Sequence, residues 1–585
     1  MRLVCVLLVG GFIALAAHLA KVQITRHDEL YAKAKKQYTS VATSEGKRGE
    51  IYDLDGNLLV GNVPCSDICA DPQLVGDDEK CREIAKFFAR NLKDSSYSKI
   101  YRRLAKKTRT IVRDGKKIEV PNRYALIASK VDLQASNMLK NGLKELKFKG
   151  ISFQDSSKRY YPKNELLANI LGFTNIDKDK VIAVIGVEKF VNQAVSPTNS
   201  KIQFERARDG LPLSYGERKK IKGVKDGLNV YLTIREPVQA ILEEELDKLM
   251  EKWKPRAAYA VMADPYTGNI LAIAQRPTFN PNDRGTMKPD AWRNRITEDI
   301  FEPGSTMKPL AIAGALDYGV VSPQMRFDCE HGLWRYAGKP LRDSHPMDML
   351  SVAEIIQKSS NIGTAKIALK MGKKRLYNTL RRFGFGQKTG IPLKPETAGI
   401  FRPLKRWDSL SITRFPIGQG IATSPLQLVR AYCALANGGK LVKLRLIDRL
   451  EDPATGSVFK NPLKPAMRVY HKSSTHRKII EMMKLVTQEG GTAKQAAIEG
   501  YDVAGKTGTS QKVINGIYSH SKYFASFIGF VPVERPAFVL LVTADEPQGA
   551  YYGGTVSAPT FKNISERSLR YLDIKPIHLN TYVSN

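Results

Sequence analysis

Glu302-Pro303-Gly304-Ser305-Thr306-Met307-Lys308-Pro309 is the stretch on which the reading of this 585-residue chain turns. A serine and a lysine three positions apart share one helix face, so the amine can reach the hydroxyl as a general base. Pro309 lacks an N–H and clashes with the carbonyl four residues back, which confines it to a first turn and predicts a helix start at about Ser305. There the Ser305 N–H has no intrahelical partner and is free to bind an oxyanion, and the positive helix end favours an alkoxide.

Ser-x-x-Lys alone is a weak pattern, and the chain holds a second copy, Ser96-Tyr97-Ser98-Lys99, in a polar stretch without such a helix start. Specificity comes from two partners downstream. Ser359-Ser360-Asn361 supplies a hydroxyl to relay a proton and an amide to hold a substrate amide. Lys506-Thr507-Gly508-Thr509 lies in a segment with strand character. The edge of such a strand can bond a peptide-like substrate as an added strand. Gly508 lets the substrate backbone approach, and Lys506, Thr507 and Thr509 receive a terminal carboxylate. A cation at Lys506 near Lys308 would lower that amine's pKa, as would burial. A second Lys-Thr-Gly, Lys388-Thr389-Gly390, follows Phe383-Gly384-Phe385-Gly386 and precedes Ile391-Pro392, so it reads as loop and Lys506 is preferred.

Outward from this centre, Leu228 to Ile234 reads as a strand and Pro237 to Trp253 as a helix with proline in its first turn. Tyr259 to Met262 and Ile270 to Ala274 flank the turn Asp264-Pro265-Tyr266-Thr267-Gly268 as a hairpin. The stretch from 305 to about 440 is mainly helical with Gly-rich breaks, and strands return from Val503 to Thr543. Strands, then helices, then strands predict an α+β domain with one antiparallel sheet and a helical lobe.

Near the amino terminus, Leu3 to Ala20 is apolar apart from His18, long enough for a membrane helix. A cleavable signal peptide is the alternative, with Ala14-Leu15-Ala16 as the small-residue site; either way the bulk of the chain is exported. Asp28 to Gln37 has helical composition, and Lys47 to Leu59 predicts a hairpin about Asp55-Gly56. Between about 75 and 225 short helical and strand patterns alternate, and Lys106 to Lys117 reads as solvated loop. The expected domains are an anchor at 1–22, an N-terminal domain at 23–225, a catalytic domain at 226–575 and a tail at 576–585.

A net charge of +34 raises a polyanionic partner, yet the lysines and arginines are scattered and no nucleic-acid motif accompanies them. A basic ectodomain near an anionic membrane or wall is the plainer reading. Six cysteines are too few for a disulfide scaffold; a bridge among Cys65, Cys69 and Cys81 stays open. No spacing suggests a metal, and His345 and the other histidines lack triad-like neighbours. Met307 is read as core and Trp292 as aromatic packing.

The three motifs in this order resemble the penicillin-recognising serine enzymes. The chain looks like a class B penicillin-binding protein: a membrane helix, an elongated α+β pedestal (dimerisation-like) domain, and a transpeptidase domain with a five-stranded antiparallel sheet and a helical lobe. Arg48-Gly49-Glu50-Ile51-Tyr52-Asp53 resembles the motif opening that pedestal. Arg159-Tyr160-Tyr161-Pro162, Gly172-Phe173 and Gly186-Val187-Glu188 resemble its later motifs. Asn294-Arg295 with Asp299-Ile300-Phe301 before Glu302 is similar to the division-specific, FtsI-type branch. Gly418-Gln419-Gly420, Thr423-Ser424-Pro425-Leu426-Gln427 and Tyr551-Tyr552-Gly553-Gly554 fit the helical lobe and last strands.

The resemblance implies a D,D-transpeptidase in septal wall synthesis, periplasmic on a single-pass inner-membrane anchor. Ser305 would attack the penultimate D-Ala of a stem peptide, with Lys308 as base and Ser359 passing the proton on. Asn361 would hold the substrate amide, and Lys506 and Thr507 the carboxylate. The N–H groups of Ser305 and Thr509 would form the oxyanion hole beside Gly508. It also implies acylation by β-lactams, no cofactor or metal, and as partners a membrane glycosyltransferase and divisome proteins rather than nucleic acid. A D,D-carboxypeptidase, a β-lactamase-like hydrolase and an elongation-specific transpeptidase stay open as alternatives.

Overall fold

A computed structural model describes residues 1–44, 46–92, 96–113, 115–177, 180–198, 200–205, 219–220, 223–283, 285 and 287–576. The expected tail at 576–585 lies outside the described residues, save 576. The chain forms two compact units.

The smaller unit comprises Met1–Gly49, Ala194–Leu228 and Asp452–Gly456. Its first helix, Arg2–Ala20, is apolar and exposed throughout. With the turn that continues it to Thr25 it is long and apolar enough to cross a membrane. The helix His27–Tyr38 follows, as composition predicted. Strands Thr39–Ser44, Ser200–Glu205 and Lys219–Lys220 then form an antiparallel sheet. Arg48-Gly49 is threaded into this unit: the Gly49 N–H donates to Val195 O at 2.8 Å and Arg48 Nη1 to Ser196 Oγ at 3.1 Å.

The larger unit holds the remainder and contains two main sheets. In the first, Ile51–Tyr52 and Leu58–Ala70 form the hairpin predicted about Asp55-Gly56. Its turn is tied by Asp53, whose carboxylate accepts from the N–H groups of Asp55 and Asn57 at 2.9 and 2.7 Å. The long strand Leu58–Ala70 also pairs with Ala125–Asp132 and Ile151–Tyr160. Helices Asp78–Asn91, Tyr97–Ala105 and Leu133–Glu145 close one core there around Ile84, Phe88, Ile100, Leu104, Ile127 and Leu139. Two distant sequence motifs converge beside it, because Arg159 Nε donates to Glu188 Oε1 at 2.6 Å with both side chains buried.

Two expectations fail in this region. Lys106 to Lys117 is no loop: Thr108–Arg113 pairs with Lys116–Pro121, since β-branched residues alternate with the solvated cations and a short ladder satisfies the backbone. Ser96 does begin a helix, as the N-cap residue of Tyr97–Ala105. All cysteines among the described residues are free thiols, so the bridge left open among Cys65, Cys69 and Cys81 is not formed.

The second sheet has five antiparallel strands in the order Ile270–Arg276, Ala257–Ala263, Phe538–Asp545, Ile517–Val531, Ala504–Ile514. The first three are buried at every position, as strands covered on both faces must be. Helices Glu236–Trp253, Pro425–Ala436 and Ala558–Tyr571 pack on it. Ser424 and Gln427 form a capping box that starts the second of these with proline in its first turn. The lobe between the strands is helical, as expected, with two additions: short ladders join Arg326–Asp328 to Met349–Ser351 and Leu333–Tyr336 to Lys339–Arg342.

Candidate active site

The helix Lys308–Asp317 is buried from Lys308 to Leu316, which makes it the axis of the helical lobe. Pro309 sits in its first turn, but the α-helix begins at Lys308 rather than at Ser305. A tighter 3₁₀ turn, Gly304–Met307, leads into it and carries Ser305. The Ser305 N–H opens that turn and has no partner within it. Ser305 is only partly buried, whereas Thr306, Met307 and Lys308 are buried, so the turn presents Ser305 alone to the cleft. Met307, fully buried, is core as read.

Lys308 is wholly enclosed. Its Nζ donates to Ser359 O at 2.5 Å and to Ser359 Oγ at 3.1 Å. No hydrogen bond joins it to Ser305 Oγ among the described residues. Ser359 reaches it from the junction between helices Val352–Gln357 and Asn361–Met371 with φ of +63°. This left-handed conformation costs about 1–3 kcal/mol for a non-glycine residue. It is what turns carbonyl and hydroxyl together onto one amine.

Burial brings the Lys308 ammonium down to about 7, against the opposing attraction of Asp343 and the Cys329 thiol. Lys506, equally enclosed on strand Ala504–Ile514, is lowered well below the usual lysine range by burial first and by repulsion from Lys308 second. Burial is the first cause for both amines, and the repulsion between them adds to it in the direction expected. Two buried ammoniums this close are not charged together. Lys506 Nζ also donates to Thr507 Oγ1 at 3.1 Å, and Thr507 Oγ1 bonds Thr492 Oγ1 at 3.0 Å.

The strand runs alongside the turn that carries Ser305. A side chain on Gly304, at φ +57°, would stand 3.2 Å from Thr509 O. One on Gly508 would stand 2.4 Å from Ser526 Oγ and 3.0 Å from Thr306 Cγ2. The small size of Gly508 thus serves the packing of strand against turn. Thr509 Oγ1 accepts from the Gly553 N–H at 3.1 Å, which docks Tyr551-Tyr552-Gly553-Gly554 at the same edge. The structure accordingly brings Ser305, Lys308, Ser359, Lys506, Thr507, Gly508 and Thr509 together.

Asn361 stands at the start of its helix, with Nδ2 donating to Arg342 O at 2.7 Å. Lys388-Thr389-Gly390 lies elsewhere as loop; Glu396 occupies its donors, accepting from Thr389 N and Oγ1 at 2.6 Å each and from Gly390 N at 3.1 Å. Ser96 and Lys99 are exposed, whereas Lys308 is enclosed. Trp292 packs 5.8 Å from the Phe173 ring, as read.

Sequence reasoning missed Asp343. Its carboxylate accepts from Ser360 Oγ at 2.7 Å, from the Ile362 N–H at 3.1 Å and from the Asn361 N–H. It thereby fixes the turn that aims Ser359 and Asn361. A lone acid in Arg342-Asp343-Ser344 carries no local signal for this. Asp343→Ala strands these donors, at about 1–3 kcal/mol each for those left buried, and should lower the melting temperature and β-lactam acylation together. Asp343→Asn keeps an acceptor and should largely restore stability. It also removes the charge that holds Lys308 up, so the midpoint of its acylation pH profile should move to lower pH.

Residues 258–566 match the penicillin binding protein transpeptidase domain, and residues 43–232 the penicillin-binding protein dimerisation domain. The chain belongs to the penicillin-binding protein family. It is 31% identical to peptidoglycan D,D-transpeptidase FtsI of Escherichia coli K12 over 585 residues, covering 99% of this chain and 92% of that protein. Stage V sporulation protein D of Bacillus subtilis 168 is 32% identical over 585 residues, covering 98% and 86%. Among solved structures, penicillin-binding protein 2X of Streptococcus thermophilus superposes with a TM-score of 0.73 at 24% identity, over 91% of this chain and 80% of that one.

Proposed function

We propose that this protein is a membrane-anchored peptidoglycan D,D-transpeptidase working through an acyl-enzyme on Ser305. The observation that carries the reading is a wholly buried Lys308, its amine lowered to about 7 and held by Ser359, one turn from the exposed-edge Ser305.

Neutral Lys308 takes the Ser305 proton as Oγ attacks the penultimate D-Ala carbonyl. The N–H groups of Ser305 and Thr509 bond the oxyanion. Ser359, in contact with Lys308 Nζ, relays the proton to the departing D-Ala amine, and the C–N bond breaks to leave the Ser305 ester. Asn361 holds the donor amide, and Lys506 with Thr507 the terminal carboxylate. An acceptor amine then attacks the ester, its proton returning through Lys308, and Ser305 is freed. A β-lactam opens onto Ser305 by the same first step. None of these steps calls on a cofactor.

We extend the reading to septal wall synthesis, beside a membrane glycosyltransferase and other division proteins; the likeness to FtsI and the FtsI-type pattern of Asn294-Arg295 with Asp299-Ile300-Phe301 support it. The apolar helix supports a single-pass inner-membrane anchor, from which we place the catalytic unit in the periplasm; the family matches at 43–232 and 258–566 support domains at 23–225 and 226–575. The full-length protein incubated with a D-Ala-D-Ala-terminated donor and an amine acceptor should release D-Ala and form cross-linked peptide in parallel. Release of D-Ala with hydrolysed donor alone would make it a carboxypeptidase. Depletion should give filaments with arrested septa; rounded cells would instead mark an elongation enzyme.

A further inference from the structure

Beside the site lies a cavity of about 700 Å³ that the reaction as described does not use. Its rim includes Asn361, and its walls come from the ladder strand Lys339–Arg342, the segment around Asp408 to Gly420, and Tyr518 of the strand Ile517–Val531. Two bonds fasten it to the nucleophile turn. Glu302, three residues before Ser305, accepts from the Gly420 N–H at 2.8 Å and from the Tyr518 hydroxyl at 3.0 Å.

The charges in this wall do not balance. Lys339, Arg342, Arg402 and Arg414 line it against a single lining carboxylate, Asp408. Asp408 turns one oxygen, Oδ1, to its own helix start, accepting from Ser411 N and Ser411 Oγ at 2.7 Å each. None of the four cations has an ion-pair partner within 4.0 Å among the described residues. Arg414 is half-buried, and Nη2 donates to Pro340 O at 2.8 Å, so a neutral carbonyl anchors the guanidinium. Arg402 lies 5.4 Å over the Phe415 ring. Burial without an acid partner lowers the Arg414 pKa, the opposite of what a carboxylate neighbour does to Arg276 elsewhere in the unit. Guanidinium forks held in place by a backbone carbonyl and an aromatic face are pre-organised for a carboxylate, which they take bidentately.

We propose that this cavity is an anion subsite that takes a free carboxylate borne by the acyl donor, on the side of the amide held by Asn361. It rests on the reading that Ser305 is acylated. The subsite would make the enzyme selective for donors with a carboxylate branch over those in which that branch is amidated or absent.

The test uses two penicillins with one nucleus, benzylpenicillin and its α-carboxylated analogue carbenicillin, on the full-length protein in detergent. The second-order acylation rate is measured for each. In the wild type the carbenicillin-to-benzylpenicillin ratio should fall as salt is raised. In Arg414→Gln it should drop about tenfold, the effect of one lost charge-assisted bond. Arg402→Gln should lower it in the same direction, which keeps the question open should Arg414→Gln fold poorly. A ratio unchanged in both variants overturns the subsite and leaves the Ser305 reading standing. Failure of both penicillins to acylate the wild type overturns that reading and the subsite with it.

Discussion

Ser305→Ala protein incubated with a fluorescent penicillin should carry no label, while Ser96→Ala labels as the wild type does. Loss of the nucleophile in a serine acyl-transfer enzyme costs roughly 10⁶-fold, below detection by gel fluorescence. The contrast matters because both serines precede a lysine by three residues and both stand at a helix start. What separates them is their surroundings. Lys99 is exposed, whereas Lys308 has no exposed surface. Label surviving on Ser305→Ala would place the nucleophile elsewhere.

Lys308→Met should be nearly as severe, cutting acylation by about 10²–10⁴-fold, the usual contribution of a positioned general base. Methionine is apolar and of similar length, so the enclosed site can keep its packing while losing the amine. The pH profile gives the sharper test. A base acts in its neutral form, and an ordinary lysine is neutral in only about one molecule in three thousand at pH 7. With its pKa lowered to about 7, Lys308 is half neutral there. Wild-type acylation should therefore rise about tenfold per pH unit below 7 and level off above it. The slope should vanish in Lys308→Met. A slope that persists in the variant would assign the titrating group elsewhere.

Much of this site could be read in advance because its chemistry is written in short, local patterns. Ser305 and Lys308 announce themselves by spacing, and Pro309 by what it forbids. The sheet was visible because its buried strands are continuous apolar runs, such as Phe538–Asp545 up to its final acid. The remainder depends on contacts between distant residues. Asp343 acts through Ser360, Asn361 and Ile362, and nothing near it in the chain foretells that. The left-handed φ of Ser359 is imposed by the two helices it joins, since serine has no preference for it. For Gly508, a strand glycine signals close approach without saying what approaches; Thr306 and Ser526 are neighbours that only the fold reveals. Ser96 was misjudged, since a polar stretch can still start a helix whose apolar face, Ile100 and Leu104, lies further on.

The strand order of the catalytic sheet has a bearing on how the enzyme comes into being. Ala257–Ala263 hydrogen-bonds to Phe538–Asp545, and Lys506 reaches the nucleophile turn from a strand that joins the sheet only through Ile517–Val531. Residues separated by some two hundred positions must meet before the amine of Lys308 is shielded from water. A chain whose last strands have yet to join the sheet thus carries an ordinary serine and an ordinary lysine. Reactivity switches on with the closing of the last strands, so a bound penicillin is a signature of completed folding as much as of catalysis. Fragments ending before residue 538 should be inert toward it.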